Sequence, residues 1–342
     1  MFNVNPDSLS FSAAVIAASF AASMILTALV RQILLRRAML DIPNERSSHS
    51  APVPRGGGWA IVAVMLPGLA GASFVFDHDI RQVPLIIGIM LLAGISWLDD
   101  RKGMGAAQRL SLHLIAACLG SLAFMPDQLL LGGAVPFWLD RTVMIIGWAW
   151  FINLYNFMDG IDGITGVETV SVATGTCLVM TAAGIVDPVV SCATLLLTGA
   201  CLGFLAHNWH PAKIFLGDIG SVPLGYIVAF CLITLAVHGH LIPALILPLY
   251  YLADSGITIV KRAVRGEKIW QAHRQHFYQQ ATRGVGRHDI VALMIAVANI
   301  GLVVAAIAAV SAPWAGGVAG VVIVAVLLKK MHKVASLTRG IP

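Results

Sequence analysis

Long apolar runs alternate with short polar stretches along the whole chain. Eleven runs approach the roughly 20 residues that a helix needs to cross a bilayer. They lie near 11–30, 59–76, 83–98, 110–125, 141–157, 164–186, 189–206, 220–237, 241–260, 290–311 and 313–329. The pattern predicts an all-α integral membrane protein of about eleven transmembrane helices. No internal repeat and no soluble domain interrupts it, so residues 1–342 read as one membrane domain.

The segment before the first run, MFNVNPDSLS, carries Asp7 and no Lys or Arg, which argues against a cleaved signal peptide. Arg31, Arg36 and Arg37 follow that run. Positive charge marks the cytoplasmic side, so the expected orientation is N-terminus outside and C-terminus cytoplasmic. The cytoplasmic segments are then 31–58, 99–109, 157–163, 207–219, 261–289 and the tail, and they hold 20 of the 22 Lys and Arg residues. Only Arg81 and Arg141 fall outside. Apolar flanks around Gly132 and Gly133 predict a small hairpin or re-entrant piece over 126–140. The tail, KKMHKVASLTRG, reads as a basic segment near anionic lipid.

Composition supports the membrane reading. Hydrophobic residues make up 58% and charged residues 11%, with a mean hydropathy of +0.84. Soluble domains carry about 25% charged residues, so a cytosolic enzyme, a disordered chain and a nucleic-acid-binding domain are all excluded. The net charge of +5 reflects loop asymmetry, not a nucleic-acid surface. Cys118, Cys177, Cys192, Cys201 and Cys231 all sit in apolar runs without metal-ligand spacing and read as packing residues.

The carboxylates carry the chemical signal. Asp99 and Asp100 end the run IIGIMLLAGISWL, Asp159 and Asp162 sit in NLYNFMDGIDG, and Asp218 sits in KIFLGDIGS. All five fall at cytoplasmic helix ends, where unpaired charge is costly and usually marks a site. Acids this dense repel unless a cation joins them. Oxygen-only ligands suit Mg²⁺, with Mn²⁺ as a substitute. The amide oxygens of Asn153 and Asn156 are also available, and Gly160, Gly163, Gly217 and Gly220 permit close backbone approach to a ligand.

Two basic loops share that face. Arg46, His49 and Arg55 precede three successive glycines in a candidate anion-binding loop. His273, Arg274 and His276 cluster in 261–289, with Arg283 and Arg287 behind. The HxxH spacing lacks the Glu of a zinc-protease helix, so phosphate contact is preferred to zinc. Asp254 and Glu168 read as supports; Asp254 either pairs with an inward Arg or Lys or orients a loop. His78, His238 and His240 lie on the far side, and His113 and His288 have no evident partner. The constellation suits phosphoryl transfer between a soluble nucleotide donor and a lipid-held acceptor. A secondary transporter is the rival from another class, but it would place its acids near the midplane and often repeat its halves.

The motifs RSSHSAPVPRGGG, WLDDRKG, NLYNFMDGIDGI, NWHPAKIFLGDIGSVPLG and HRQHFYQ together resemble the polyprenyl-phosphate N-acetylhexosamine-1-phosphate transferases. The resemblance runs from about residue 41 to 280. It implies that Asp99 and Asp100 lie near the lipid phosphate, the first as a proposed base, and that Asn156 and Asp218 hold Mg²⁺. It places Asp159 and Asp162 in a second acidic motif, with Asp162 near the nucleoside. It puts Asn208 at the uracil with Phe215 as a stacking ring, and Asn153 and Lys213 on the substrate-binding side. His273, Arg274 and His276 meet the diphosphate and sugar, with Arg46, His49 and Arg55 as further substrate contacts.

PRGGG and HRQH differ from the peptidoglycan branch of that family and resemble the O-antigen-initiating branch. The donor implied is UDP-N-acetylglucosamine or a UDP-linked deoxy-N-acetylhexosamine, and the acceptor undecaprenyl phosphate. The implied setting is the bacterial inner membrane with a cytoplasmic active site, and a homodimer is compatible with it.

Overall fold

The computed structural model describes residues 6–43, 51–75, 81–269, 271 and 273–336. The chain is almost entirely helical. In order come α1 (Pro6–Arg36), strands β1 (Leu40–Asp41) and β2 (Val53–Pro54), α2 (Gly58–Val75), α3 (Gln82–Lys102), α4 (Ala106–Ser121) and α5 (Phe137–Phe157). Then follow α6 (Ile164–Ala183), α7 (Pro188–Asn208), α8 (Asp218–Val237), α9 (Leu241–Ile246), α10 (Leu249–Val264), α11 (Phe277–Val285), α12 (His288–Ser311) and α13 (Pro313–Ser336). Each of the eleven apolar runs falls on helix, as hydrocarbon requires of a backbone that finds no partners there. Among the described residues, α1, α3, α6, α7, α8, α12 and α13 are long and apolar enough to span, and Gly58–Ala72 of α2 is a shorter apolar stretch. The protein is thus a multi-pass helical membrane protein.

Several local expectations are corrected. The ninth run is not one helix: it breaks into α9 and α10 at Leu247–Pro248, where proline removes a backbone donor. The segment before α5 is a chain of turns and not a hairpin. Its organiser is Asp140, fully buried, whose two oxygens accept the Leu130 and Leu131 amides at 2.9 and 2.8 Å. The 31–58 loop contains a short antiparallel pairing, Leu40 with Pro54 and Asp41 with Val53. The 261–289 loop contains α11, which no apolar run announced.

Helix α8 is the axis of the fold. Its spanning window is buried throughout, and it packs against α2, α3, α5, α6, α7 and α9. Trp148 of α5 stacks on Tyr226 of α8, with ring centroids 4.8 Å apart. This packing fixes the start of α8, at Asp218, relative to the ends of α3 and α5.

Helix α1 lies along α7 through small residues. A Cβ on Gly203 would come within 2.3 Å of the Phe20 carbonyl, and one on Gly199 within 2.0 Å of Ser19 Oγ. Small residues are what allow two helices to approach this closely in lipid, where no hydrophobic force drives them together. Gly203→Leu is expected to separate them at a cost of about 1–3 kcal/mol, lowering the unfolding midpoint in detergent. An unchanged midpoint would show that α1 is peripheral to stability.

Candidate active site

Arg55 follows β2, and the backbone after it runs beside Phe215. Phe215 N donates to the Pro54 carbonyl at 2.8 Å. The Gly56 and Gly57 amides donate to the Phe215 carbonyl at 3.1 and 2.8 Å, and Gly58 N donates to Leu216 O at 2.9 Å. A Cβ on Gly58 would lie 2.2 Å from Gly220 Cα. The three glycines therefore clamp α2 to the start of α8. Their amides are spent on protein carbonyls, which corrects the reading of this stretch as a glycine-built anion cradle. Beside these glycines the positive charge is that of Arg55; Arg46 and His49 lie outside the described residues.

Arg55 Nη2 donates to Asp218 Oδ1 at 2.7 Å and lies 3.7 Å from Asp100 Oδ1. Burial pulls its pKa down, but Asp218, Asp100 and Asp41 more than offset this and raise it. The guanidinium is a fixed cation joining the acid that ends α3 to the acid that begins α8. One turn into α8, Ser221 Oγ donates to Asn156 Oδ1 of α5 at 2.6 Å. Asn153 stands one turn earlier on α5, half-buried.

The remaining acids are each held differently. Asp99 Oδ1 accepts the Met104 amide, and its Oδ2 lies 3.5 Å from Arg109 Nε of α4. Asp159 Oδ1 accepts the Thr165 hydroxyl at 2.6 Å. Burial pushes the Asp159 carboxyl up to about 6, against the Thr165 hydrogen bond and Arg55, with Asp218 and Asp162 adding to the rise. A group raised in this way is one that a cation would return to its charged form.

Asp162 is gripped by two histidines that sequence reasoning missed. His210 Nδ1 lies 2.7 Å from its Oδ2, which also accepts the Ala212 amide at 3.1 Å. His288 Nδ1 lies 3.1 Å from its Oδ1. Burial works to raise this carboxyl, but the His288, His210 and Ala212 contacts overcome it and hold the pKa below the usual range. His288 thus has a partner after all. His210 was visible inside NWHPAK, whereas His288 lies 126 residues from Asp162 with no local signal.

The motif asparagine is structural on both ends. Asn208 Oδ1 accepts the Gly163 amide and its Nδ2 donates to the Ile214 carbonyl, both at 2.9 Å. This staples the 157–163 loop to the 207–217 loop, so Asn208 builds the wall beside Phe215. Lys213 is exposed, and its carbonyl accepts Arg31 Nε at 3.1 Å. The glycines around the acids also face protein: a Cβ on Gly160 would meet Tyr278 Oη at 2.1 Å, and one on Gly163 the Trp209 ring at 3.3 Å.

The His/Arg loop is aimed by Asp254. This fully buried carboxylate accepts the Phe277 and Tyr278 amides at 3.0 and 3.1 Å and the Tyr250 hydroxyl at 3.1 Å. His276 Nδ1 lies 3.1 Å from it, which fixes the orientation of the imidazole ring. Of the two expectations for Asp254, loop orientation is therefore the one realised. The loop before it is tied down by buried Arg262, which donates to Glu267 at 2.9 Å and to the Lys268 and Gln271 carbonyls at 2.8 and 3.0 Å. Half-buried His273 has its pKa lowered to about 4 by burial, helped by His276 and Arg262. Arg274 is half-buried, its carbonyl accepting Arg283 Nη2 at 2.6 Å. Tyr278 Oη donates to the Phe157 carbonyl at 3.3 Å, which docks this loop on the Asp159 loop. Glu168, deeper in the bundle, accepts Asn299 Nδ2 at 2.7 Å and supports α6 against α12.

Asp100 and Asp218 flank one guanidinium whose charge reaches Asp159, and Asn156 meets the first turn of α8 through Ser221. Hard oxygen donors of this kind would suit a divalent cation such as Mg²⁺. The arrangement defines an integral-membrane transferase acting on phosphate esters. Residues 83–236 match the Glycosyl transferase family 4 profile. The probable undecaprenyl-phosphate N-acetylglucosaminyl 1-phosphate transferase of Bacillus subtilis (strain 168) is 26% identical over 276 residues, covering 75% of this chain and 73% of that protein. The decaprenyl-phosphate N-acetylglucosaminephosphotransferase of Mycobacterium tuberculosis is 27% identical over 312 residues, covering 78% and 74%. A phospho-N-acetylmuramoyl-pentapeptide-transferase of Synechococcus is 32% identical over a shorter 226 residues, covering 59% and 63%. This match places residues 83–236 in Glycosyl transferase family 4. The chain is a multi-pass membrane polyprenyl-phosphate N-acetylhexosamine-1-phosphate transferase.

Proposed function

We propose that the enzyme transfers N-acetylglucosamine-1-phosphate, or its deoxy-N-acetylhexosamine counterpart, from the UDP-sugar to undecaprenyl phosphate. A lipid phosphate oxygen bonds to the sugar-bearing phosphorus, the bond between the two donor phosphates breaks, and UMP leaves with that electron pair. The product opens the membrane stage of O-antigen or related surface polysaccharide synthesis. The chain crosses the membrane about eleven times, with α9 and α10 forming one broken crossing, and the site faces the cytoplasm. The observation that carries this reading is Arg55 joining Asp100 and Asp218 at the meeting point of α2, α3 and α8.

Asn156 and Asp218 would hold Mg²⁺, which neutralises charge on the diphosphate when bound. Arg55 keeps the carboxylates from repelling each other and adds positive charge for phosphate oxygens. Asp162, through His210 and His288, sets the position of the loop that carries Asn208, Lys213 and Phe215 beside the nucleoside. Asp254 presents His276, with His273 and Arg274, to the diphosphate.

Asp99 acts by position and charge, not as a base. A phosphate monoester has its second pKa near 6 and is mostly dianionic at neutral pH, so little remains for a base to remove. Asp99→Asn is expected to lower the rate at all pH values. Loss of only the acidic limb of the pH–rate profile, with full rate restored at alkaline pH, would establish the base role instead.

The donor is identified by incubating purified enzyme with Mg²⁺, undecaprenyl phosphate and a panel of UDP-sugars, scoring UMP and lipid product. Product from one N-acetylhexosamine is expected, and chelation should abolish it. Turnover only with a muramoyl-pentapeptide donor would overturn the branch assignment.

A further inference from the structure

Helix α4 carries two buried nitrogens that the account so far leaves unused. His113 is 4% exposed, and its Nδ1 makes no hydrogen bond among the described residues. Arg109 lies one turn earlier on the same helix, so the two side chains share a face. Its Nε is also buried without a hydrogen bond, although it stands 3.5 Å from Asp99 Oδ2. The charges of Arg109, Asp99 and Asp218 all reach the His113 ring. Two unsatisfied nitrogens side by side are costly unless a ligand supplies acceptors. The opposite face of α4 shows half-exposed Ile115 and exposed Cys118 to the bilayer.

We infer that His113 and Arg109 form the pocket for the phosphate of the lipid acceptor. The occupant is a phosphate monoester, whose oxygens accept from an imidazole N–H and from the guanidinium. Two features favour the lipid over the nucleotide as the source. The pocket sits on a helix whose other face meets the hydrocarbon, and it flanks Asp99 at the end of α3. His113 is then a binding residue specific to the acceptor. This inference rests on the proposed reaction and adds to it the residue that reads the acceptor head group.

The test uses the full-length enzyme in lipid nanodiscs and has two arms. In the first, binding of undecaprenyl phosphate is compared with binding of uncharged undecaprenol. Wild type should prefer the phosphate, and His113→Ala should reduce that preference about tenfold. His113→Gln, which keeps a donor, should recover most of it and also serves if the alanine variant is unstable. In the second arm, His113→Ala should raise the KM for undecaprenyl phosphate about tenfold while the KM for UDP-N-acetylglucosamine stays within about twofold. An unchanged phosphate preference in folded variants would overturn the inference, as would a KM effect confined to the UDP-sugar, which would assign the pocket to the donor. Should wild type release no UMP, the proposed reaction fails, while the binding arm still decides the pocket.

Discussion

Asp218→Asn is expected to lower kcat by about 10³-fold while leaving the fold intact. The substitution keeps the shape of the side chain and removes its charge. Three consequences follow at once. Arg55 loses its 2.7 Å partner and is left with Asp100 at 3.7 Å. The oxygen set beside Asn156 loses its most central anion. The start of α8 loses a negative charge favourable to its helix dipole, which costs little beside the other two. The measurement is UMP release against Mg²⁺ concentration. A lower plateau, reached at higher Mg²⁺, identifies Asp218 as a metal-side residue. A loss below tenfold with an unchanged Mg²⁺ curve would move the metal elsewhere.

Asp254→Asn is the second large effect, and it acts at a distance from the reacting atoms. The carboxylate takes donors from Phe277, Tyr278 and Tyr250 and faces His276 Nδ1. An amide has one accepting oxygen, so at least one buried donor is left unsatisfied at about 1–3 kcal/mol. The start of α11 then shifts, and His276 with it. A displacement of about 1 Å at a reacting group costs roughly 10²-fold. The expected outcome is a 10²-fold lower kcat with near-native helix content and faster proteolysis between Arg265 and Gln275. Activity within threefold of wild type would show that the loop holds its position without Asp254.

The scaffold was legible because each apolar run must become helix in hydrocarbon, whatever its neighbours do. The split between α2 and α3 and the paired final helices follow from that rule. The break in the ninth run had its signal too, in Pro248, but a hydropathy reading averages over a single proline. The acids were legible one at a time, as charge where charge is costly. Their partners were not, because partners come from other helices. Thr165 on Asp159 is six residues away, whereas His288 on Asp162 and Phe277 on Asp254 are set by how α12 and α11 dock. The glycines show the opposite failure. They were correctly seen as sites of close approach, but what approaches Gly58 and Gly160 is Gly220 and Tyr278, not a ligand.

The central claim is transfer of a phosphosugar, not of a sugar alone. It is tested most directly with UDP-N-acetylglucosamine labelled at the β-phosphate, undecaprenyl phosphate and Mg²⁺. Phosphosugar transfer carries the label into the lipid fraction and releases unlabelled UMP. Label that stays in the aqueous phase as UDP would mean simple glycosyl transfer, and would contradict the role assigned here to Arg55, Asp100 and Asp218.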